Sequence, residues 1–232
     1  MNERIATIQR WIKSKGVACP VDGVPGPITR GCMIEAFRNR SAPAVSPDEI
    51  RALAKRLGCT ERQIKAVAKV ESAGAGWDKS GLLTCLFERH YLFRRIKVAV
   101  PFLSNPTPGG YTIDADGDGI NDSWEKLADA TMRWPMNIAL ECASFGRFQV
   151  MGAHWKALGY ESVIEMVYGQ TRTEAAQFEV FARYIEANHL VGALRAVDGN
   201  PANCTPLAEG YNGKRQKGYD GRIAQAFRMM VA

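Results

Sequence analysis

The first residue with the setting of a catalyst is Glu71. Ile64, Val67 and Ala68 precede it at one helical phase, the i, i+3, i+4, i+7 spacing of a single buried helix face. Burial disfavours the charged form of a carboxylate on that face, and the negative end of the helix dipole adds to the effect. Both raise its pKa, as a general acid working at neutral pH requires. The following Ser72-Ala73-Gly74-Ala75-Gly76-Trp77 is small enough to let backbone approach a ligand, and the Trp77 indole offers a face for a sugar ring. The plain alternative is a Glu on the exposed last turn of a helix.

A second group lies at Asp114-Ala115-Asp116-Gly117-Asp118-Gly119-Ile120-Asn121-Asp122-Ser123-Trp124-Glu125, which fits the D-x-D-x-D-G-x5-E pattern of a calcium loop. So many carboxylates in a short stretch repel one another unless a cation neutralises them. The expected ligands of one structural Ca2+ are Asp114, Asp116, Asp118, Asp122 and Glu125 with the backbone carbonyl of Ile120. The alternative is an exposed acidic turn. Pro106-Thr107-Pro108-Gly109-Gly110 cannot form an entering helix, and Asn121 stands where an apolar residue is usual, so a loop followed by a helix from about Asp122 is expected. The ion pins a loop; no cofactor is expected for the chemistry.

These groups need elements to hold them. Ser46 is a helix cap, Pro47 suits the first turn and Glu49 completes a capping box, so a helix should run to Leu57 and stop at Gly58. Thr60 with Gln63 gives the next box and starts the helix that carries Glu71. Residues 82–87 read as strand or buried segment, and 101–122 as loop. Helical patterns return at 135–143, 161–168, 172–188 and 219–231. Near the start, Ile5, Ile8 and Ile12 mark a helix over 3–14, turn formers fill 21–27, and Ile28, Cys32, Met33 and Phe37 mark a second helix. Residues 42–47 read as a linker.

With hydrophobic residues at 46% and charged residues at 23%, the chain is an ordinary globular protein and not a fibrous or disordered one. The net charge is +6, and residues 1–41 carry seven Lys or Arg against three Asp or Glu, which suggests a docking module for a polyanion. Six cysteines form no C-x-x-C pair, which argues against structural zinc. Buried thiols are expected, with a Cys19–Cys32 bridge open only in an oxidising compartment. His90 and His154 lack ligand spacing. The opening residues lack the apolar run of a signal peptide, and no stretch reaches the length of a membrane span. The expectation is a monomer made in the host cytoplasm, without stable membrane insertion, that another factor releases to the periplasm and cell wall.

Val70-Glu71-Ser72, Leu86-Phe87-Glu88-Arg89-His90, Ala143-Ser144-Phe145-Gly146-Arg147-Phe148-Gln149-Val150-Met151-Gly152 and Tyr211-Asn212-Gly213 follow one another in the order of the phage N-acetylmuramidase motifs. Over roughly residues 50–232 the chain resembles that family, within the lysozyme-like superfamily. The resemblance implies a mainly α, lysozyme-like catalytic domain with a small β region. It makes Glu71 the acid on the oxygen between N-acetylmuramic acid and N-acetylglucosamine. Glu88 is the candidate second carboxylate, since the usual route uses a pair whose separation decides inversion or retention. Its alternative is structural support by pairing with Arg89 or another neighbouring base. Gln149, Tyr211 and Asn212 are implied to line the saccharide cleft, with Ser72 and Ser144 of the same motifs beside them. A turn at Tyr211-Asn212-Gly213 is the alternative there.

Residues 4–40, with Ile8-Gln9-Arg10-Trp11, Asp22-Gly23, Gly26-Pro27, Thr29 and Phe37, are similar to peptidoglycan-binding domains. Pro25 departs from that pattern, where an aromatic commonly precedes Gly-Pro. The expected domains are a helical peptidoglycan-binding module at 1–41, the linker 42–47 and the catalytic domain 48–232. The implied function is an endolysin that cuts wall glycan and lyses the host. A lytic transglycosylase forming 1,6-anhydro ends, or a wall-binding protein without catalysis, are the other readings. No nucleic-acid partner is expected, since no reader motif or aromatic platform accompanies the basic charge.

Overall fold

Helix α3 (Pro47–Leu57) begins and ends, and helix α4 (Glu61–Glu71) begins, where capping residues dictate. Ser46 accepts from the Glu49 N–H while the Glu49 carboxylate accepts from the Ser46 N–H, and Gly58 closes the helix in the left-handed region. Thr60 and Gln63 make the same reciprocal pair. Gln63 also donates to the carbonyls of Arg195 at 2.6 Å and Val197 at 2.9 Å, which fixes the start of α4. Ile64, Val67 and Ala68 are buried, as the spacing predicts. Each large apolar side chain removed from water contributes about 1.5–3 kcal/mol, so this face decides where α4 lies. The computed structural model describes residues 1–71, 76–214 and 218–230; the Glu71 side chain and residues 72–75, 215–217 and 231–232 lie outside the described residues.

After β1 (Cys85–Phe87) come α5 (Arg89–Ile96), a long loop, α6 (Asp122–Arg133) and α7 (Met136–Leu140). Strands β2 (Ala143–Phe145) and β3 (Val150–Met151) follow, and the antiparallel sheet has the order β1-β2-β3. The remaining helices are α8 (Val163–Arg172), α9 (Glu174–Ala187), α10 (Val191–Arg195), α11 (Pro201–Asn212) and α12 (Tyr219–Met229). The fold is mainly α with a small sheet. Among the described residues no helix is long and apolar enough to cross a membrane.

The N-terminal pair is α1 (Glu3–Ser14) and α2 (Pro27–Ala36). Gln9, fully buried, organises the loop between them: it donates to Asp22 and Thr29 and accepts from the Asp22 and Gly23 N–H groups. Ile28 points to solvent rather than inward. Cys19 and Cys32 are free thiols, and burial followed by the Cys32 contact pushes Cys19 up to about 12.

This helix pair does not stand apart from the rest. Phe37, fully buried, packs 5.2 Å from Trp124 of α6, and Trp11 packs edge-on to Tyr168 of α8. Arg4 donates to the carbonyls of Thr131, Met132 and Trp134 at the end of α6, and Arg30 pairs with Glu125 and Asp129. Residues 42–46, ahead of α3, form a strap that is tied down: the Pro43 carbonyl accepts from Glu174 N–H, and Val45 N–H donates to the Glu174 carboxylate at 2.9 Å. One apolar core therefore runs from Ile5 to Ala224.

Candidate active site

Glu71 closes α4, and its side chain and Ser72 lie outside the described residues. Beyond them, a turn built on Asp78 reverses the chain: its carboxylate accepts from Ser80 N–H and Oγ and from Leu82 N–H. The Gly76 carbonyl consequently meets the Thr84 N–H at 3.0 Å, at the entry to β1. Gly76, five residues after Glu71 in sequence, is thereby joined to the sheet. Trp77, half-buried, packs against the core.

The register of the sheet sorts its residues. Cys85 pairs with Phe145, Leu86 with Ser144, Phe87 with Ala143, and Ser144 with Met151. Side chains alternate along a strand, so Cys85, Phe87, Ala143, Phe145 and Val150 form the buried face. Thr84, Leu86, Ser144 and Met151 share the other face, and Glu88 continues it one step beyond β1. The Glu88 N–H extends the ladder by donating to the Cys142 carbonyl at 2.8 Å.

Glu88 has a side chain only 17% exposed. Its Oε2 accepts from the Tyr111 hydroxyl at 2.7 Å, and His90 Nδ1 lies 3.1 Å from the same oxygen without hydrogen-bond alignment. The pairing with Arg89 is not made. Arg89 turns away to the carbonyls of Thr107 and Pro108. Burial, then the contact with Glu88, pushes the Tyr111 phenol up to about 12, so it remains a donor at neutral pH.

Ser144 and Gln149 come together on the same face. Ser144 Oγ donates to Gln149 Oε1 at 2.9 Å, and Gln149 Nε2 donates to the carbonyls of Gly146 at 2.8 Å and Thr84 at 3.2 Å. Gln149 sits at φ +48°, a left-handed backbone that costs a non-glycine residue about 1–2 kcal/mol. Those bonds hold it there. Tyr211 donates to the Phe148 carbonyl at 2.9 Å and packs on Tyr184, tying the turn to α9 and α11. Tyr211 and Asn212 are the last residues of α11 rather than a free turn, and Asn212 is exposed.

The structure therefore joins Thr84, Ser144, Gln149 and Tyr211 in one bonded group beside β1, with Glu88 at the far end of that strand. A cavity of about 450 Å³ between α3 and α9 is a poorer candidate. Its acids Glu49 and Glu179 are committed to Ser46 and to Arg56 and Arg183. Residues 60–230 match the N-acetylmuramidase family, well over half of the chain. The chain belongs to that family.

The crystal structure of Burkholderia AP3 phage endolysin superposes on this family member with a TM-score of 0.70 and 29% identity, covering 97% of this chain and 93% of that chain. No curated protein matches it by sequence. All residues of the sheet-face site fall within the matched span, whereas α1 and α2 precede it.

In this member of the family the acidic loop is only partly gathered. The carboxylates of Asp114, Asp116 and Asp118 have oxygens within 4.8 Å of one another and are exposed. Asp122 instead accepts from Ala115 N–H, and Glu125 pairs with Arg30 at 2.9 Å. Ile120 contributes its N–H to Asp118. Burial raises the Glu125 pKa, Arg30 opposes the shift, and Asp118, Asp116 and Asp122 add to it. His90 and His154 join no metal-ligand cluster among the described residues.

Thr84 and Tyr111 were not among the sequence candidates. The two-residue alternation Thr84, Leu86, Glu88 carried a signal for the first. Tyr111 carried none, because its contact with Glu88 spans a loop without periodicity.

Proposed function

We propose that the protein is an endolysin that hydrolyses the β-1,4 bond between N-acetylmuramic acid and N-acetylglucosamine in bacterial peptidoglycan, causing host-cell lysis. Glu71 donates a proton to the leaving oxygen, and Glu88 is the second carboxylate. The observation that carries this reading is the single sheet face on which Glu88, Ser144 and the Gln149 turn are fixed, with Gly76, five residues after Glu71 in sequence, bonded to Thr84 at the entry to that face. Membership of the N-acetylmuramidase family and the likeness to an endolysin support it.

Both hydrogens of the Gln149 amide are committed to carbonyls, so this side chain acts on the saccharide chiefly through the turn it holds. Ser72, Ser144, Tyr211 and Asn212 complete the proposed substrate site. The excess positive charge of residues 1–41 supports docking on a carboxylate-rich wall. The enzyme is a monomer made in the host cytoplasm and reaches the wall through another factor. The convergence of Asp114, Asp116 and Asp118 supports one structural Ca2+, with Asp122, Glu125 and the Ile120 carbonyl joining once Ala115 and Arg30 release the two carboxylates.

Mass spectrometry of digested peptidoglycan tests the reaction. Reducing muramic ends are expected. Anhydro ends would make the enzyme a transglycosylase, and reducing glucosamine ends would move the cut to the other bond. Glu71→Gln keeps the shape of the side chain but cannot deliver a proton, and should lower activity by about 10²–10⁴-fold. Wall clearance at the parental rate would remove Glu71 from the mechanism.

A further inference from the structure

Glu88 is reached by a residue that the proposed chemistry does not use. Tyr111 lies on the long loop between α5 and α6, and its ring is not packed against the apolar core: the residue is 48% exposed. Its hydroxyl is nevertheless delivered to within 2.7 Å of Glu88 Oε2. The delivery is precise because the loop is clamped on both sides of it. Lys126 of α6 donates to the Gly110 carbonyl at 2.8 Å and to Thr112 Oγ1 at 3.0 Å, gripping the residues immediately before and after Tyr111. Arg89, the residue next to Glu88, donates to the carbonyls of Thr107 and Pro108. Gly109, at φ +128°, passes so close to Arg89 that an added Cβ would stand 2.9 Å from the guanidinium. The Ile113 carbonyl accepts from Asp122 N–H, anchoring the exit.

Both described contacts of the Glu88 carboxylate, with Tyr111 and with His90, fall on Oε2. Among the described residues Oε1 has no partner. Resting on the reading of Glu88 as the second carboxylate, we propose that Tyr111 is a positioning residue: it holds Glu88 by Oε2 and so turns Oε1 toward the sugar or the attacking water. The phenol supplies a 2.7 Å hydrogen bond to one oxygen of the carboxyl group and leaves the other oxygen free to act. It does this from the loop side, so the anchors of the loop also fix the orientation of the carboxylate.

The test is a double-mutant cycle on soluble glycan fragments, with melting temperature measured alongside. Tyr111→Phe removes only the hydroxyl. It should lower kcat roughly 10- to 100-fold through loss of that one hydrogen bond, with KM within about twofold and an unchanged melting temperature. Added to Glu88→Gln it should cost nothing further, because the two act as a unit. An unchanged kcat in Tyr111→Phe, beside a crippled Glu88→Gln, overturns the positioning role alone. Losses that multiply in the double variant overturn it as well, since Tyr111 would then act independently of Glu88. Near-parental activity of Glu88→Gln would overturn the reading of Glu88 and the role of Tyr111 with it.

Discussion

At one end of the sheet face the turn from Gly146 to Gln149 is held from beneath. Gln177, fully buried, accepts the Arg147 N–H at 2.7 Å, and Gly146 donates to the Thr84 carbonyl at 2.8 Å. At the other end Glu88 is held from the side, by a tyrosine on a loop whose own anchors are Arg89 and Lys126. The first device is continuous with the core, so disturbing it should cost stability and activity together. The second rests on exposed polar contacts, so disturbing it should cost activity with little stability. Shape is supplied by buried amides, and the orientation of the charge by a surface strap.

Gly146→Ala should have the largest effect. Gly146 has φ +69°, and an added Cβ would stand 2.8 Å from Gln170 Oε1 and 3.0 Å from Gln177 Oε1. A left-handed alanine costs about 1–2 kcal/mol and overpacking about 1–3 kcal/mol, together roughly 2–5 kcal/mol. Denaturant melts should show that loss; a variant as stable as the parent would mean that the turn is not built from below. A separate effect is expected from calcium. If the ion binds only the folded chain, a tenfold excess over Kd stabilises by about 1.4 kcal/mol. The melting temperature should rise with Ca2+ against a chelator, and Asp116→Ala should abolish the rise. Identical parental curves in both conditions would remove the ion. Gly109→Ala should cost less stability than Gly146→Ala, about 1–3 kcal/mol of backbone strain without the overpacking against buried amides. Its new methyl meets the movable end of Arg89, and its signature should be a severalfold fall in kcat through displacement of Tyr111. A melting-temperature loss as large as that of Gly146→Ala would erase the contrast between the two ends.

Much of the helical frame was legible because its signals are local. The Ser46 and Glu49 box, the Thr60 and Gln63 box and the Ile64, Val67, Ala68 face each lie within a few residues. α11 was not legible. Pro206 lies inside it and argues against helix, yet burial of Cys204, Leu207 and Ala208 prevails, so Tyr211 and Asn212 end a helix. Residues 42–47 have the Pro-containing composition of a tether, and composition cannot disclose a partner such as Glu174, 129 residues beyond Val45. Glu125 fits the calcium pattern by spacing, but Arg30 is 95 residues away in sequence and claims its carboxylate. In each of these cases the missing information was a long-range partner or the burial of a helix face.

The grip of Arg4 on the end of α6 has a consequence for the order in which the chain assembles. Its acceptors, the carbonyls of Thr131, Met132 and Trp134, lie 127, 128 and 130 residues downstream. During synthesis the first helix therefore emerges long before the groups that receive it, and Phe37 waits likewise for Trp124. Such distant pairings make folding slow, because a large loop must close before the contact repays it. Helix α1 can therefore seat on α6 only after the chain through Trp134 has been made, whereas its Gln9 contacts with Asp22, Gly23 and Thr29 are local and close early.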